Sequence, residues 1–341
     1  MVREAQAMRR FAGVLTLLLM WLSPSRVHAQ LPDLASVAAQ YMPPAELESR
    51  PPAKAQVASY DASLNFPVPV GSRTFLIPGL AYHFDSLSYS DTPPAFTELR
   101  AFHSFEMPLL MVQLLPSDWA LSFRVAPALA GDFRGFDAGL LHLSALALGT
   151  HSFSKRFALG GGAIATYAFG SLLFLPAVSA DWKPFDGLQV LVFVPALATA
   201  KYTFSRRVEL GVRADIAGNS YSIRDSRVAD HWPCVSDPAD DTATLANEAL
   251  AASSECIDHV AYSVGTVGGV VGVRLFESVW WTAFAGKTFF RRLDQQNAYD
   301  EPVTGGKQML PNVFVVRSGL AWRIPIDSAA PSSDGDHPAP E

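Results

Sequence analysis

The stretch VELGVRADIAGN, residues 208–219, sorts its side chains by parity: Val208, Leu210, Val212, Ala214 and Ile216 share one, and Glu209, Gly211, Arg213, Asp215, Ala217 and Asn219 share the other. Successive side chains of a β-strand point to opposite faces, so this spacing predicts a strand lying between an apolar and a polar medium. The same alternation runs through WALSFRVAPALAG (119–131), where Trp119, Leu121, Phe123, Val125 and Leu129 oppose Ser122, Arg124 and small alanines. FALGGGAIATYAF (157–169) repeats it with Phe157, Leu159, Tyr167 and Phe169 on one parity.

The chain's start names the compartment. Arg3, Arg9 and Arg10 precede the apolar run Phe11 to Leu22, and Val27-His28-Ala29 precede Gln30. This is the three-part plan of a secretory signal peptide over residues 1–29, and its apolar run is shorter than the roughly 20 residues of a spanning helix. Without that segment the chain keeps 22 basic against 31 acidic side chains, a formal charge of −9. Phosphate binding needs a basic surface, so no nucleic-acid partner is expected. Although 49% of the residues are hydrophobic, no later apolar run approaches a membrane helix in length. Strand-length alternation repeated along an exported chain predicts a transmembrane antiparallel β-barrel, an all-β fold.

Residues 30–53 carry two Pro-Pro pairs and read as a periplasmic leader. The barrel is expected over 54–324, with about twelve strands within a range of 10 to 14. The segments are 55–67, 73–85, 97–113, 119–131, 139–151, 157–169, 174–183, 188–202, 206–223, 258–275, 279–292 and 312–324. Residues 224–257 form an extracellular loop whose part 240–255 has helical composition, and 325–341 read as a disordered tail. Trp119, Trp182, Phe185, Tyr202, Phe204, Tyr221, Trp280, Trp281 and Trp322 fall at segment ends, as interfacial girdles require. Pro78, Pro108, Pro127, Pro176 and Pro195 fall inside segments, where each removes a ladder donor, so bulges are expected there.

SRTFLIPGLAYHF (72–84), VAPALAGDFRGFD (125–137), the run 172–212 and LPNVFVVRSGLAWRI (310–324) resemble a family of Gram-negative outer-membrane barrels catalogued only as a domain of unknown function. The resemblance implies a fold and an outer-membrane location. It brings no activity and no functional residues. The polar tail after Ile324 departs from barrels that end on an aromatic, a common signal to the assembly machinery, and Trp322 is the residue placed to take that part.

Chemistry-bearing motifs are sparse. His142 and Ser144 share a strand face, which resembles the nucleophile arrangement of barrel-embedded lipid hydrolases, but a serine needs a base that is itself oriented by an acid. LGGGAI (159–164) and VGTVGGVVGV (264–273) lack the lysine and strand-to-helix setting of a phosphate cradle. No catalytic set, metal site or cofactor is indicated. The strongest polar constellation is Glu209, Arg213 and Asp215, joined by Arg124, Asp181, Lys183 and Lys201. Charges on a lipid face cost about 2–4 kcal/mol near the midplane for Arg or Lys, so these are expected to face the lumen.

The expectation is a monomeric outer-membrane barrel in contact with membrane lipid, passing or binding a small solute or serving a structural surface role. The competing readings are a barrel-embedded lipid hydrolase and a secreted soluble β-protein that binds a partner. Cys234 and Cys256 are the two cysteines of the chain, and an even count in an oxidising compartment favours a disulfide. Closing about 22 residues, the bond is worth roughly 3 kcal/mol by chain entropy. Thiol labelling of the denatured, unreduced protein is expected to find no free cysteine, and two labelled thiols would exclude the bond.

Overall fold

The computed structural model describes residues 33–46, 54–90, 100–136, 138–167, 171–223, 258–297 and 302–323. The signal segment, the loop 224–257 with Cys234 and Cys256, and the tail 325–341 lie outside them. The described chain is a single antiparallel sheet closed on itself, and three of its segments continue a neighbour across a short break, giving a ring of 14 strands.

In chain order these are β1 (Ala35–Glu46), β2 (Lys54–Asn65 with Val68–Pro69), β3 (Thr74–Ser90), β4 (Arg100–Glu106 with Leu109–Leu114) and β5 (Trp119–Gly131). A 3-10 turn, Ala138–Leu140, leads into β6 (Leu141–Ser154), followed by β7 (Phe157–Thr166), β8 (Leu173–Trp182), β9 (Leu188–Val194) and β10 (Leu197–Ser205). The ring ends with β11 (Val208–Ser222), β12 (His259–Arg274), β13 (Val279–Gln296) and β14 (Pro302–Met309 with Phe314–Trp322). Each strand pairs with its chain neighbours. Ala35–Tyr41 of β1 pair with Val316–Trp322 of β14, and this seam closes the ring.

The strand number stands at the top of the expected range, and two departures account for it. Residues 30–53 are no mere leader, because Ala35–Glu46 form the first strand. The expected segment 188–202 is a hairpin of β9 and β10 that turns at Pro195 and Ala196. With both strands added, every link on the rim holding Ala35 and Trp322 is short, and the long links lie on the opposite, far rim. At the short-turn rim, Ser117 and Asp118 take left-handed φ values of 62° and 61° to close the β4–β5 hairpin.

The prolines expected at bulges lie instead at breaks, an edge and a turn, and Pro127 stands opposite the break of β4, its carbonyl accepting from the Met107 N–H at 3.0 Å. Pro108 sits in the break of β4, and the Gly79 N–H donates to its carbonyl at 2.8 Å. Pro78 lies next to the break of β2, and Pro195 lies in the turn. Pro176 occupies a stretch of β8 that has no partner on its β9 side, a free edge where a missing donor costs nothing in the ladder.

The ring is not round. β5 and β11 stand six strands apart in ring order, yet their far ends meet: Ser222 bridges Gly131 in parallel, and the Asp132 N–H donates to the Ser222 carbonyl at 3.1 Å. A Cβ on Gly131 would lie 2.8 Å from that carbonyl oxygen and would collide with Leu140. Beneath this crossing the far half of the barrel is filled. Met42, Val57, Leu87, Phe102, Tyr221, Tyr262, Leu293 and Val315 are all buried in one apolar cluster. Gly131→Val is expected to force the crossing apart at a cost of about 1–3 kcal/mol. The check is the temperature at which the folded, fast-migrating gel species is lost, which should fall.

Candidate functional site: the ion-paired lumen

Outward and inward parities separate as the opening stretch requires. Leu210 and Val212 of β11 are exposed, as are Val37, Leu80, Phe123, Val125, Leu143, Leu159, Val178 and Leu320 on other strands. Trp119, Phe157, Trp182, Phe204, Trp281 and Trp322 ring the short-turn rim on this outer face, while Tyr60, Phe105, Phe174, Phe289 and Phe314 ring the far side. Two of the aromatics expected in the girdles are elsewhere. Tyr221 is fully buried inside the barrel, and Trp280 holds the Arg323 guanidinium 4.7 Å above its ring. A recess of about 770 Å³ lies on the outer side across β1, β2 and β11–β14, where Ala39, Ala58, Gly269, Ala283 and Ala285 are small and Tyr41 and Tyr60 stand beside them.

The opposite parity holds the charges. Asp215 is buried, takes a hydrogen bond from Arg213 Nε at 2.9 Å and one from the Thr266 hydroxyl at 3.0 Å, and pairs with Arg317 at 3.4 Å. Arg317 lies on β14, and two strands separate it from β11 in the ring, so this contact runs through the interior. Its guanidinium also donates to Gln40 Oε1 of β1 at 2.8 Å. One carboxylate thus joins β11, β12 and β14, and through Arg317 reaches β1. Nearer the short-turn rim Arg323 pairs with Glu209 at 3.2 Å and approaches Asp33 at 3.6 Å. Burial raises the Asp33 carboxyl pKa above the usual carboxylate value although Arg323 and Lys201 pull the other way. Arg124 of β5 is paired with Glu106 of β4.

A second network sits higher, on residues that sequence reading passed over. The Tyr221 hydroxyl donates to Asp85 of β3 at 2.7 Å and the Ser59 hydroxyl does so at 2.5 Å, while His83 bridges Asp85 at 3.0 Å and Asp61 at 2.6 Å. Ser59, Asp61, His83 and Asp85 lie on β2 and β3 with ordinary alternation, and the only sequence signal was that each is polar at an inward parity. Asp61 keeps about half of its side chain exposed although it faces inward. Arg213 and Arg124 are each more than a third exposed. The lumen between the two networks therefore leaves charged side chains accessible.

His142 and Ser144 share the inward face of β6, with His142 stacked on Tyr167 at 5.1 Å and 6.5 Å from His259. No hydrogen bond joins His142 to Ser144 among the described residues. Asp181 is met by Gln189 at 2.9 Å, and Lys183 lies beyond the end of β8.

A closed antiparallel sheet with an apolar outer band and an ion-paired interior defines a transmembrane β-barrel. Residues 25–232 match the family described as a domain of unknown function (DUF6268), and the chain belongs to that family. No curated protein matches the chain. Among solved structures, an outer membrane channel from Pseudomonas putida F1 is similar at 9% identity and a TM-score of 0.44, covering 88% of this chain and 99% of that one. The NanC porin is similar at 7% identity and a TM-score of 0.34 over 85% and 100% of the two chains. OprB of Pseudomonas putida is similar at 10% identity and a TM-score of 0.30 over 87% and 99%.

Because Asp215 accepts from the fully buried Thr266 hydroxyl and pairs with Arg213 and Arg317, Asp215→Ala is expected to cost roughly 1–3 kcal/mol, chiefly by leaving the Thr266 donor unmatched. Denaturant unfolding in detergent measures it. Asp215→Asn, which keeps the shape and one acceptor, should lose less.

Proposed function

We propose that this protein is an outer-membrane barrel whose water-holding lumen takes up or passes a small solute. The observation that carries the reading is the exposure of Asp61, Arg213 and Arg124 on the inward face of a closed ring. Charged side chains stay exposed inside a sheet only where water reaches them, and a wet interior bounded by a dry outer band is the physical basis of a pore. The signal-peptide plan of residues 1–29 and membership of a barrel family support the outer membrane as its place.

A lipid hydrolase is the weaker reading, since the partners found for His142 among the described residues are Tyr167, His259 and the Gly139 backbone, and none is a serine hydroxyl. A soluble β-protein is weaker still, because Val37, Leu80, Val212 and Phe174 would stand bare in water.

Two measurements test the proposal. The protein should remain with the outer membrane after carbonate washing, and vesicles that contain it should swell in graded small solutes. In a planar bilayer, Arg213→Glu is expected to shift the reversal potential toward cation preference, because the sign of the wall charge selects ions at close range. Conductance with an unaltered reversal potential would remove Arg213 from the path.

A further inference from the structure

Strand β9 has seven residues, Leu188–Val194, whereas a tilted strand needs about 9–11 to cross the hydrocarbon. The turn that joins it to β10, Val194-Pro195-Ala196-Leu197-Ala198, contains no polar side chain, in contrast to the turns of the short-turn rim, Lys155-Arg156, Lys183 to Gly187 and Arg206-Arg207. A short strand and an apolar turn together place that turn at membrane depth.

Above it, among the described residues, no strand completes the wall. β9 pairs with Val178–Trp182 of β8, so Leu173–Ala177 have no partner on that side. β10 pairs with β11 only as far as Asp215, and the last bond between them is the Ile216 N–H to the Ala196 carbonyl at 2.9 Å. From Ala217 toward Ser222, β11 has no strand partner on the β10 side among the described residues until Ser222 meets Gly131 of β5. The result is a notch with the β9–β10 turn as floor and β8 and β11 as sides, and beyond it the far end of β11 crosses to β5. Two absent strands leave its sides about 14 Å apart at the ordinary strand spacing, wider than an acyl chain.

The lumen behind the notch carries a run of apolar side chains, with Ser144, Thr166 and Ser179 beside them on the same inward parity. Leu146 of β6, Ile164 of β7, Leu173, Leu175 and Ala177 of β8 and Phe193 of β9 share the inward parity, opposite the exposed Leu143, Leu159, Phe174, Val178 and Val194. Toward the far rim the axial route is filled by the cluster around Met42, Phe102, Tyr221 and Tyr262. Free edge groups at β8 and β11 cannot stand in dry hydrocarbon. They are tolerated where backbone lines a filled or wet opening.

We infer that this notch is a lateral port through which an apolar molecule of acyl-chain width moves between the lumen and the bilayer. The inference rests on the barrel reading above and gives its solute a chemical class. The path runs over the inward apolar wall of β6–β9, past Leu175 and Phe193, and out above Pro195.

The test uses the full chain in dioleoylphosphatidylcholine vesicles, with a benzophenone amino acid at Leu175 or Phe193, at the outward Val178 as positive control and at Ser122 as inward control on β5. Gel migration before boiling verifies folding of each variant. Illumination is expected to give lipid adducts, detected by mass, at 175, 193 and 178, and none at 122. Adducts at 178 alone would overturn the port while leaving the barrel in its membrane. Absence of adducts at 178 as well would overturn the membrane reading and the port with it. A second arm presents a diazirine-bearing hexadecanoic acid to the vesicles and digests the protein afterwards. Labelling of the peptides containing Leu146 and Phe193 is expected, with its loss in a folded Leu175→Arg variant, and equal labelling in that variant would overturn the acyl-chain path.

Discussion

Every strand of this protein depends on the pairing of Ala35–Tyr41 with Val316–Trp322. An open sheet would present two rows of backbone donors and acceptors to hydrocarbon, each unmet group costing several kcal/mol. Closing the seam removes both rows at once and turns the alternation of each strand into a single inside and a single outside. The charged parity of β11 then has only one place to go. Once there it is held by partners that no single strand could supply, with Asp215 joining β11, β12 and β14.

The interior is divided as well. The far half is packed like the core of a soluble protein around Tyr221 and Phe102 and braced by the Asp85 network, while in the near half Asp61, Arg124 and Arg213 keep part of their side chains exposed. Burial drives the first arrangement. Hydration keeps the second open, because charged groups of both signs hold water where apolar side chains would close the space. Around the ring the division runs another way, with inward Leu146, Ile164, Leu175 and Phe193 facing the polar side chains of β1–β3 and β11. Where that apolar sector meets a gap in the wall, polarity and shape point to the same route.

Much of this was legible in the amino acids. Period-2 alternation suffices to read Glu209, Arg213 and Asp215 onto one face and Leu210 and Val212 onto the other, because the strand itself enforces the parity. β1 was hidden by its composition: Ala35, Ala38 and Ala39 give almost no contrast between faces, and Pro43-Pro44 suggest a linker. The β9–β10 turn escaped because turns are recognised by polar residues and this one has none. Pro195 then looked like a flaw in one long strand, when it was the mark of two short ones. The links from Asp85 to Tyr221 and from Arg317 to Asp215 span 136 and 102 positions, and such partners are fixed by the curvature of the ring, which alternation does not encode.

Strand number sets the perimeter of a barrel, but shape sets its bore. Fourteen strands bent into a circle would enclose the largest area that perimeter allows, and here the contact of Gly131 with Ser222 draws opposite walls together. Gly211, Gly268 and Gly286 let neighbouring strands of this wall approach closely, since a Cβ on any of them would strike the carbonyl of the adjoining strand. The flattened ring spends its circumference on outer surface instead of cross-section. A cross-section inferred from strand count alone would therefore come out too large for this barrel, because β5 and β11 meet across it at the far rim.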